Sequence, residues 1–237
     1  MGLPGMKIKV FSDGADVKDM LRVYGEGVVS GFTTNPTLMK KAGVTDYPAF
    51  AKEALSHITD CPVSFEVFSD DFASMEREAR VINSWGPNVN IKIPVMNTKG
   101  ESTVELIRKL SAEGMQLNVT AILTLQQVEQ VVDALDPKVP SIVSVFAGRI
   151  ADTGRDPIPM MNKAMEIIKK KPLAELLWAS TREVLNIFQA EACGCHIITV
   201  TPDILKKLSM RNKDLHELSL DTVKMFYADA QAAGFKL

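Results

Sequence analysis

Eight short runs rich in β-branched and apolar residues recur along the chain at intervals too long for hairpins: KIKVFS, GVVSGF, PVSFEV, NVNIKIPV, MQLNVT, SIVSVF, AELLWAS and CHIITV. Between them lie segments with helical spacing of apolar residues, among them FASMEREARVINSW, STVELIRKLSAEG, TLQQVEQVVDAL and REVLNIFQAEACG. Strands and helices that alternate in this way imply a parallel sheet, joined by right-handed crossovers and covered on both faces. Eight units can close on themselves, and 237 residues is near the roughly 250 usual for a single barrel domain. An open doubly wound sheet is the competing arrangement, but no GxGxxG follows the first strand and no Pro/Gly/Ser-rich linker divides the chain. The expected fold is therefore α/β: one (β/α)8 TIM barrel domain over residues 6–237.

Two further helical patterns, TPDILKKLSM and DLHELSLDTVKMFYADAQAAG, occupy about 202–233, beyond what closing a barrel requires. The surplus C-terminal helix is free to pack on the barrel or on a neighbouring subunit. MGLPG, residues 1–5, shows no pattern and reads as a tag remnant or a disordered end.

Composition narrows the partners. A net charge of −2, with 24% charged residues, offers no electrostatic footprint for nucleic acid or an anionic membrane. No apolar run approaches the roughly 18 residues of a spanning helix, and MGLPGMKIKV lacks the apolar centre of a signal peptide, so a cytoplasmic protein is expected. Cys61, Cys193 and Cys195 form neither a disulfide framework nor a zinc set. The last two read as small apolar residues at a helix-to-strand turn pivoting on Gly194.

In a parallel barrel the C-terminal ends of the strands converge on one mouth. Polar residues stand at each of these ends: Asp13 after the first, Asn35 after the second, Glu66 on the third and Lys92 on the fourth. Asn118 and Thr120 end the fifth, Ser144 lies in the sixth with Arg149 just past it, and Ser180 and Arg182 end the seventh. Lys92, between Ile91 and Ile93, is an ammonium in a buried strand, which must be paired or lose its proton. A desolvated lysine can attack a carbonyl to form a Schiff base; a structural ion pair with Glu66 or Asp13 is the other reading. Asp13 suits general acid/base work, or an Asx turn capping the helix that starts near Asp16. Arg149, Arg182 and Ser180 suit a phosphate cradle; alternatively each arginine caps a helix or pairs with an exposed acid such as Asp152 or Glu183.

GFTTNPTL, SFEV, NIKIP, NVTAIL, SVFAGRI, WASTR and TVTP, taken at these spacings through nearly the whole chain, resemble the transaldolase family in its short form, close to fructose-6-phosphate aldolase. The resemblance implies that Lys92 forms a Schiff base with a ketose phosphate and that Asp13 is the acid/base at the scissile carbon–carbon bond. It implies a water held by Glu66 and Thr120, substrate hydroxyls or the lysine oriented by Asn35, Asn118 and Ser144, and a phosphate held by Arg149, Ser180 and Arg182. No metal or organic cofactor is required, because the iminium is the electron sink. Glu66, Ser144 and Phe146 look like the choices of the transferases, where fructose-6-phosphate aldolases carry glutamine and tyrosine at the first and last. Since phenylalanine cannot protonate a bound carbanion, the resemblance favours transfer of a dihydroxyacetone unit from fructose 6-phosphate or sedoheptulose 7-phosphate to an aldose phosphate. Aldol cleavage releasing dihydroxyacetone is the nearer alternative, and a non-catalytic sugar-phosphate-binding barrel the farther one. The resemblance also implies a place in the pentose phosphate pathway and a homo-oligomer, pentamer or decamer.

The chain departs from the family's pattern at SDGAD in the first strand, at Met96 and Asn97 behind the lysine, and at Ala147 and Thr181 beside the arginines. The last two raise a sulfonated sugar as a substrate, with a tetrahedral head of lower charge.

Overall fold

The computed structural model describes residues 5–236, so the expectation for residues 1–5 falls, apart from an exposed Gly5, outside the described residues. Strands β1 (Lys9–Asp13), β2 (Gly31–Thr33), β3 (Val63–Glu66), β4 (Val89–Pro94), β5 (Leu117–Ile122), β6 (Ser141–Val145), β7 (Ala174–Trp178) and β8 (Ile197–Val200) all pair in parallel. They close in sequence order, with β8 returning to β1, so the (β/α)8 barrel is the observed fold.

Each strand has two faces of different composition, because successive side chains alternate. The outward set, including Phe32, Phe65, Ile91, Ile93, Val119, Val143, Leu176, Trp178 and Ile198, is almost fully buried in one continuous core with the helices. The inward set is polar towards the mouth and apolar beneath it. Phe11, Ile142, Leu177 and Ile197 form a separate small cluster inside the barrel. Gly31 makes room for it, since a Cβ there would stand 2.6 Å from the Phe11 ring. At the opposite, N-terminal end, inward-facing Lys9 pairs with Glu175 at 2.7 Å.

The crossovers are helical: α1 (Val17–Gly25), α2 (Pro36–Lys41), α3 (Tyr47–His57), α4 (Phe72–Asn83), α5 (Val104–Ala112), α6 (Leu125–Ala134), α7 (Ala147–Asp152), α8 (Ile158–Ile168) and α9 (Leu185–Ala192), with α4, α5, α6 and α9 where the apolar periodicity predicts them. Side chains of Asp16, Asn35, Asp46 and Asp71 cap the first four by accepting from N–H groups of the first turn, and Thr124 with Gln127 forms a capping box on α6. The cap of α1 is thus Asp16, which leaves Asp13 free for another role. Cys193 ends α9, Gly194 turns at φ 75°, and buried Cys195 enters β8, as the sequence suggests.

After β8 come α10 (Pro202–Lys207) and the 19-residue α11 (Leu215–Ala233). No residue of α11 is buried, and Val223, Met225, Phe226 and Tyr227 are all more than half exposed. Among the described residues, no helix is long and apolar enough to cross a membrane.

One contact holds the rim together. A Cβ on Gly148, in α7, would fall 1.6 Å from the carbonyl oxygen of Ser180, so only glycine permits α7 to lie against the loop after β7. Gly25 has open space around it and an ordinary helical conformation. Gly148→Ala is expected to destabilise the protein by about 3 kcal/mol through overpacking, while Gly25→Ala leaves it unchanged or slightly more stable; equilibrium urea unfolding of both variants checks the contrast.

Candidate active site

Register, more than sequence distance, assembles the site. Glu66 on β3 lies opposite Lys92 on β4, and Lys92 lies opposite Asn118 on β5, so three inward side chains from consecutive strands stand side by side. The Lys92 Nζ is 3.0 Å from Glu66 Oε2 and donates to the Thr34 carbonyl at 2.9 Å. Lys92 is only 6% exposed, and an unpaired ammonium at that depth would cost several kcal/mol. The ion pair foreseen as one of two readings therefore exists, with Glu66 as the partner, and it opens into a cavity.

That cavity, of about 350 Å³, is lined by Asp13, Thr33, Asn35, Glu66, Lys92, Thr120, Ser144, Phe146, Arg149, Ser180 and Thr199, with Leu177 and Ala179 beneath. Asp13 accepts a 2.8 Å hydrogen bond from the Thr33 hydroxyl. Burial pushes its carboxyl above the ordinary aspartate range, opposed by the nearby Lys92 charge and by hydrogen bonding from Thr33 and Asn35. Asn35 uses its Oδ1 to cap α2, accepting from Leu38 N at 3.0 Å. Asn118 lies just below the cavity lining, donating to Ser64 Oγ at 3.0 Å and accepting from Ser144 Oγ at 2.6 Å, so it aims Ser144 at the lumen.

Backbone strain borders the cavity on two sides. Ala121 and Ser180 have φ of 60° and 62°, a region costly for residues with a Cβ. At Ala121 the β5–β6 register slips, and the adjacent Thr120 hydroxyl is buried without a protein partner. An orphaned hydroxyl in a polar cavity is a place for an ordered water or a substrate atom.

The two arginines are placed differently, and for Arg182 the ion-pair reading is the one observed. Arg149 is exposed, borders the cavity and has its guanidinium 5.6 Å from the centre of the Phe146 ring. Among the described residues it has no carboxylate within ion-pair distance. Arg182 does not line the cavity; it forms a two-nitrogen ion pair with Asp152, with Nε to Oδ1 at 3.1 Å. The reason is α7, which follows β6 at once and carries Asp152 to the loop after β7. Thr181 also turns away, donating to the Thr199 carbonyl at 2.7 Å.

Sequence reasoning did not single out Thr33, Thr34, Thr199 or Tyr47. Tyr47, seated among Phe65, Phe68 and Trp85, donates to the Glu66 carbonyl at 3.1 Å and steadies the end of β3. Alternation along β2 and β8 places Thr33 and Thr199 inside, and that was the available signal.

A closed parallel barrel whose C-terminal mouth gathers an amine, two carboxylates, several hydroxyls and a guanidinium is a (β/α)8 enzyme's arrangement. The family model described as transaldolase/fructose-6-phosphate aldolase matches residues 10–237, and the chain belongs to that family. It is 33% identical over 223 residues to a "Probable transaldolase" of Dehalococcoides mccartyi, covering 94% of this chain and 97% of that one. It is 34% identical over 231 residues to another of that name from Thermoanaerobacter sp., covering 97% and 100%. Among solved structures, KGPDC from Streptococcus mutans aligns at a TM-score of 0.54 and 11% identity, covering 82% of this chain and 87% of that one, which supports the barrel alone.

The raised Asp13 carboxyl has a consequence for stability. Folded Asp13 holds its proton to higher pH than the unfolded residue does, so stability falls as pH rises from the ordinary aspartate value through the raised one. Asp13→Asn is therefore expected to unfold at a higher temperature than wild type at pH 7, with the advantage shrinking towards roughly pH 4. Thermal unfolding at the two pH values tests the sign.

Proposed function

We propose that the protein transfers a dihydroxyacetone unit from a ketose phosphate, fructose 6-phosphate or sedoheptulose 7-phosphate, to an aldose phosphate through a Schiff base on Lys92. The observation that carries this reading is Lys92 held between Glu66 and the Thr34 carbonyl at the wall of a cavity that also contains Asp13.

Lys92 must give up a proton before its nitrogen can attack, and Glu66 at 3.0 Å is placed to take it. The amine adds to the C2 carbonyl, the resulting carbinolamine loses water, and a water at Thr120 carries protons between Glu66 and the leaving hydroxyl. Asp13 then takes the proton of the C4 hydroxyl as the C3–C4 bond breaks. The aldehyde departs, and the electron pair is held by the iminium nitrogen as an enamine. Phe146 offers no proton to this fragment. It waits for an acceptor aldehyde, whose oxygen receives the proton back from Asp13 as the new bond forms. Asn35 and Ser144 bind hydroxyls, and Arg149 with Ser180 holds the head group.

A second reading concerns that head group. With Arg182 held by Asp152, Arg149 is left as the guanidinium that lines the cavity, without a carboxylate partner among the described residues, which suits a monoanionic sulfonate better than a dianionic phosphate. Under this reading Asp152→Asn frees Arg182 and shifts the preference towards fructose 6-phosphate. If phosphate is the natural head and draws Arg182 from Asp152, then Arg182→Ala weakens binding by about 2–5 kcal/mol. Calorimetric titration with the phosphate and its 6-sulfonate counterpart distinguishes the two.

We also infer a homo-oligomer, pentamer or decamer, built through α11, because a 19-residue helix with no buried residue and an apolar Val223–Phe226–Tyr227 surface is left uncovered by the described residues of its own chain. Removal of residues 214–237 is expected to yield a monomer by light scattering.

The test of the main reading is intact mass after borohydride reduction with fructose 6-phosphate. A dihydroxyacetone adduct mapped to Lys92 is expected, and it should vanish when erythrose 4-phosphate precedes the reductant. No adduct from either the phosphate or the sulfonate would overturn the Schiff-base reading.

A further inference from the structure

We propose that Thr199 is a positioning residue for Asp13: its hydroxyl, donated to Thr33, commits the proton of Thr33 to the Asp13 carboxylate. The proposal rests on the role given to Asp13 above. Strand β1 is flanked by β2 and β8, with Asp13 opposite Thr33 on one side and Phe11 opposite Thr199 on the other. The Thr33 Oγ1 is 2.8 Å from Asp13 Oδ1 and 2.5 Å from Thr199 Oγ1, and all three side chains border the cavity.

A hydroxyl has one proton and two lone pairs. An ionised Asp13 can only accept, so Thr33 spends its proton on the carboxylate and meets Thr199 with a lone pair. The proton in the 2.5 Å contact must then come from Thr199. If Thr199 accepted instead, Thr33 could meet Asp13 only by accepting in turn, and the carboxyl would have to carry its proton on Oδ1, facing Thr33. The direction of the chain is thus tied to the charge of Asp13, and a donating Thr199 strengthens the bond that stabilises the ionised form. Thr199 cannot withdraw readily: it is 5% exposed, and its carbonyl is held by Thr181 at 2.7 Å.

Other charges bear on Asp13: Lys92 and Glu66 from β4 and β3, and Arg149 from α7 across the cavity. On its far side stand Asp16, Asp19, Lys41 and Asp203, which share a cleft with it. None of these changes when Thr199 is substituted.

The experiment follows kcat/KM against pH, with fructose 6-phosphate and erythrose 4-phosphate, for the wild-type protein, Thr199→Val and Thr199→Ser. Valine keeps the shape and loses the hydroxyl; serine keeps the hydroxyl. The acid limb of Thr199→Val is expected to move upward by roughly half a unit to one unit, lowering the rate below it about three- to tenfold, while Thr199→Ser retains the wild-type limb. Borohydride trapping of added dihydroxyacetone on Lys92 needs no bond cleavage and should proceed equally in all three. An unmoved limb in Thr199→Val, or one that serine fails to restore, overturns the proposal. Failure of wild-type trapping sinks the Schiff-base reading instead. The proposal is then judged by carbon-13 NMR of the ligand-free protein, with the Asp13 signal assigned through Asp13→Asn. Thr199→Val must raise that titration, and an unchanged one overturns it. If valine prevents folding, Thr199→Ala is measured in the same way.

Discussion

The Lys92–Glu66 ion pair governs the rest of the molecule. Two side chains facing inward from adjacent parallel strands cannot be moved without shifting the register of β3 or β4, which would turn Phe65, Ile91 and Ile93 out of the outer core. The charge inside and the apolar face outside are therefore the same constraint seen from two sides. It also explains how the barrel tolerates a polar lumen. Cohesion comes from the continuous core between strands and helices, and the lumen needs only the Phe11, Ile142, Leu177 and Ile197 plug below the site.

What could be read from sequence follows the same division. The period-two alternation in VNIKIP and VSFE sends Lys92 and Glu66 to one face, and the parallel order makes them neighbours. Asp13, Asn35, Thr120, Ser144, Phe146, Arg149 and Ser180 reach the cavity for the same reason: each sits at the C-terminal end of a strand or just beyond it. Arg182 does too by sequence, which leaves it open between the cavity and an acid such as Asp152; the choice is made by α7, a six-residue helix too short for a periodic apolar pattern to reveal. An ion pair between exposed groups is worth at most about 1 kcal/mol, too little to leave a mark on composition. Thr33 and Thr199 were hidden for a different reason: threonine is common in strands, so two of them facing a lumen read as ordinary strand residues until β1 is seen lying between them.

The strained residues show where local preference was overruled. Ala121 and Ser180 each adopt a conformation that costs on the order of 1–3 kcal/mol for a side-chain-bearing residue, and both line the cavity. At Ala121 the strain accompanies the slip in β5 register beside the unpartnered Thr120 hydroxyl. At Ser180 it presents the carbonyl against Gly148, locking the loop after β7 to the helix that carries Arg149. These backbone constraints stand on both flanks of the cavity, and pre-organised donors lose less on binding than mobile ones.

Barrel order then gives the cavity a direction. In a closed ring of eight strands, Asp13 on β1 and Lys92 on β4 are three strands apart and face each other across the lumen, while Arg149 follows β6 on the remaining side. With the roles proposed for these residues, a linear ligand touching all three places its carbonyl at Lys92 and its anionic end towards Arg149, with a hydroxyl between them turned to Asp13. An extended phosphorylated or sulfonated ketose has its groups in that order along the carbon chain. A short aldehyde alone reaches only part of the constellation. Under the proposed function the carbonyl-bearing fragment is tied to the barrel wall, and the anion-bearing fragment, held at the rim, can leave and be replaced once the bond between them is broken.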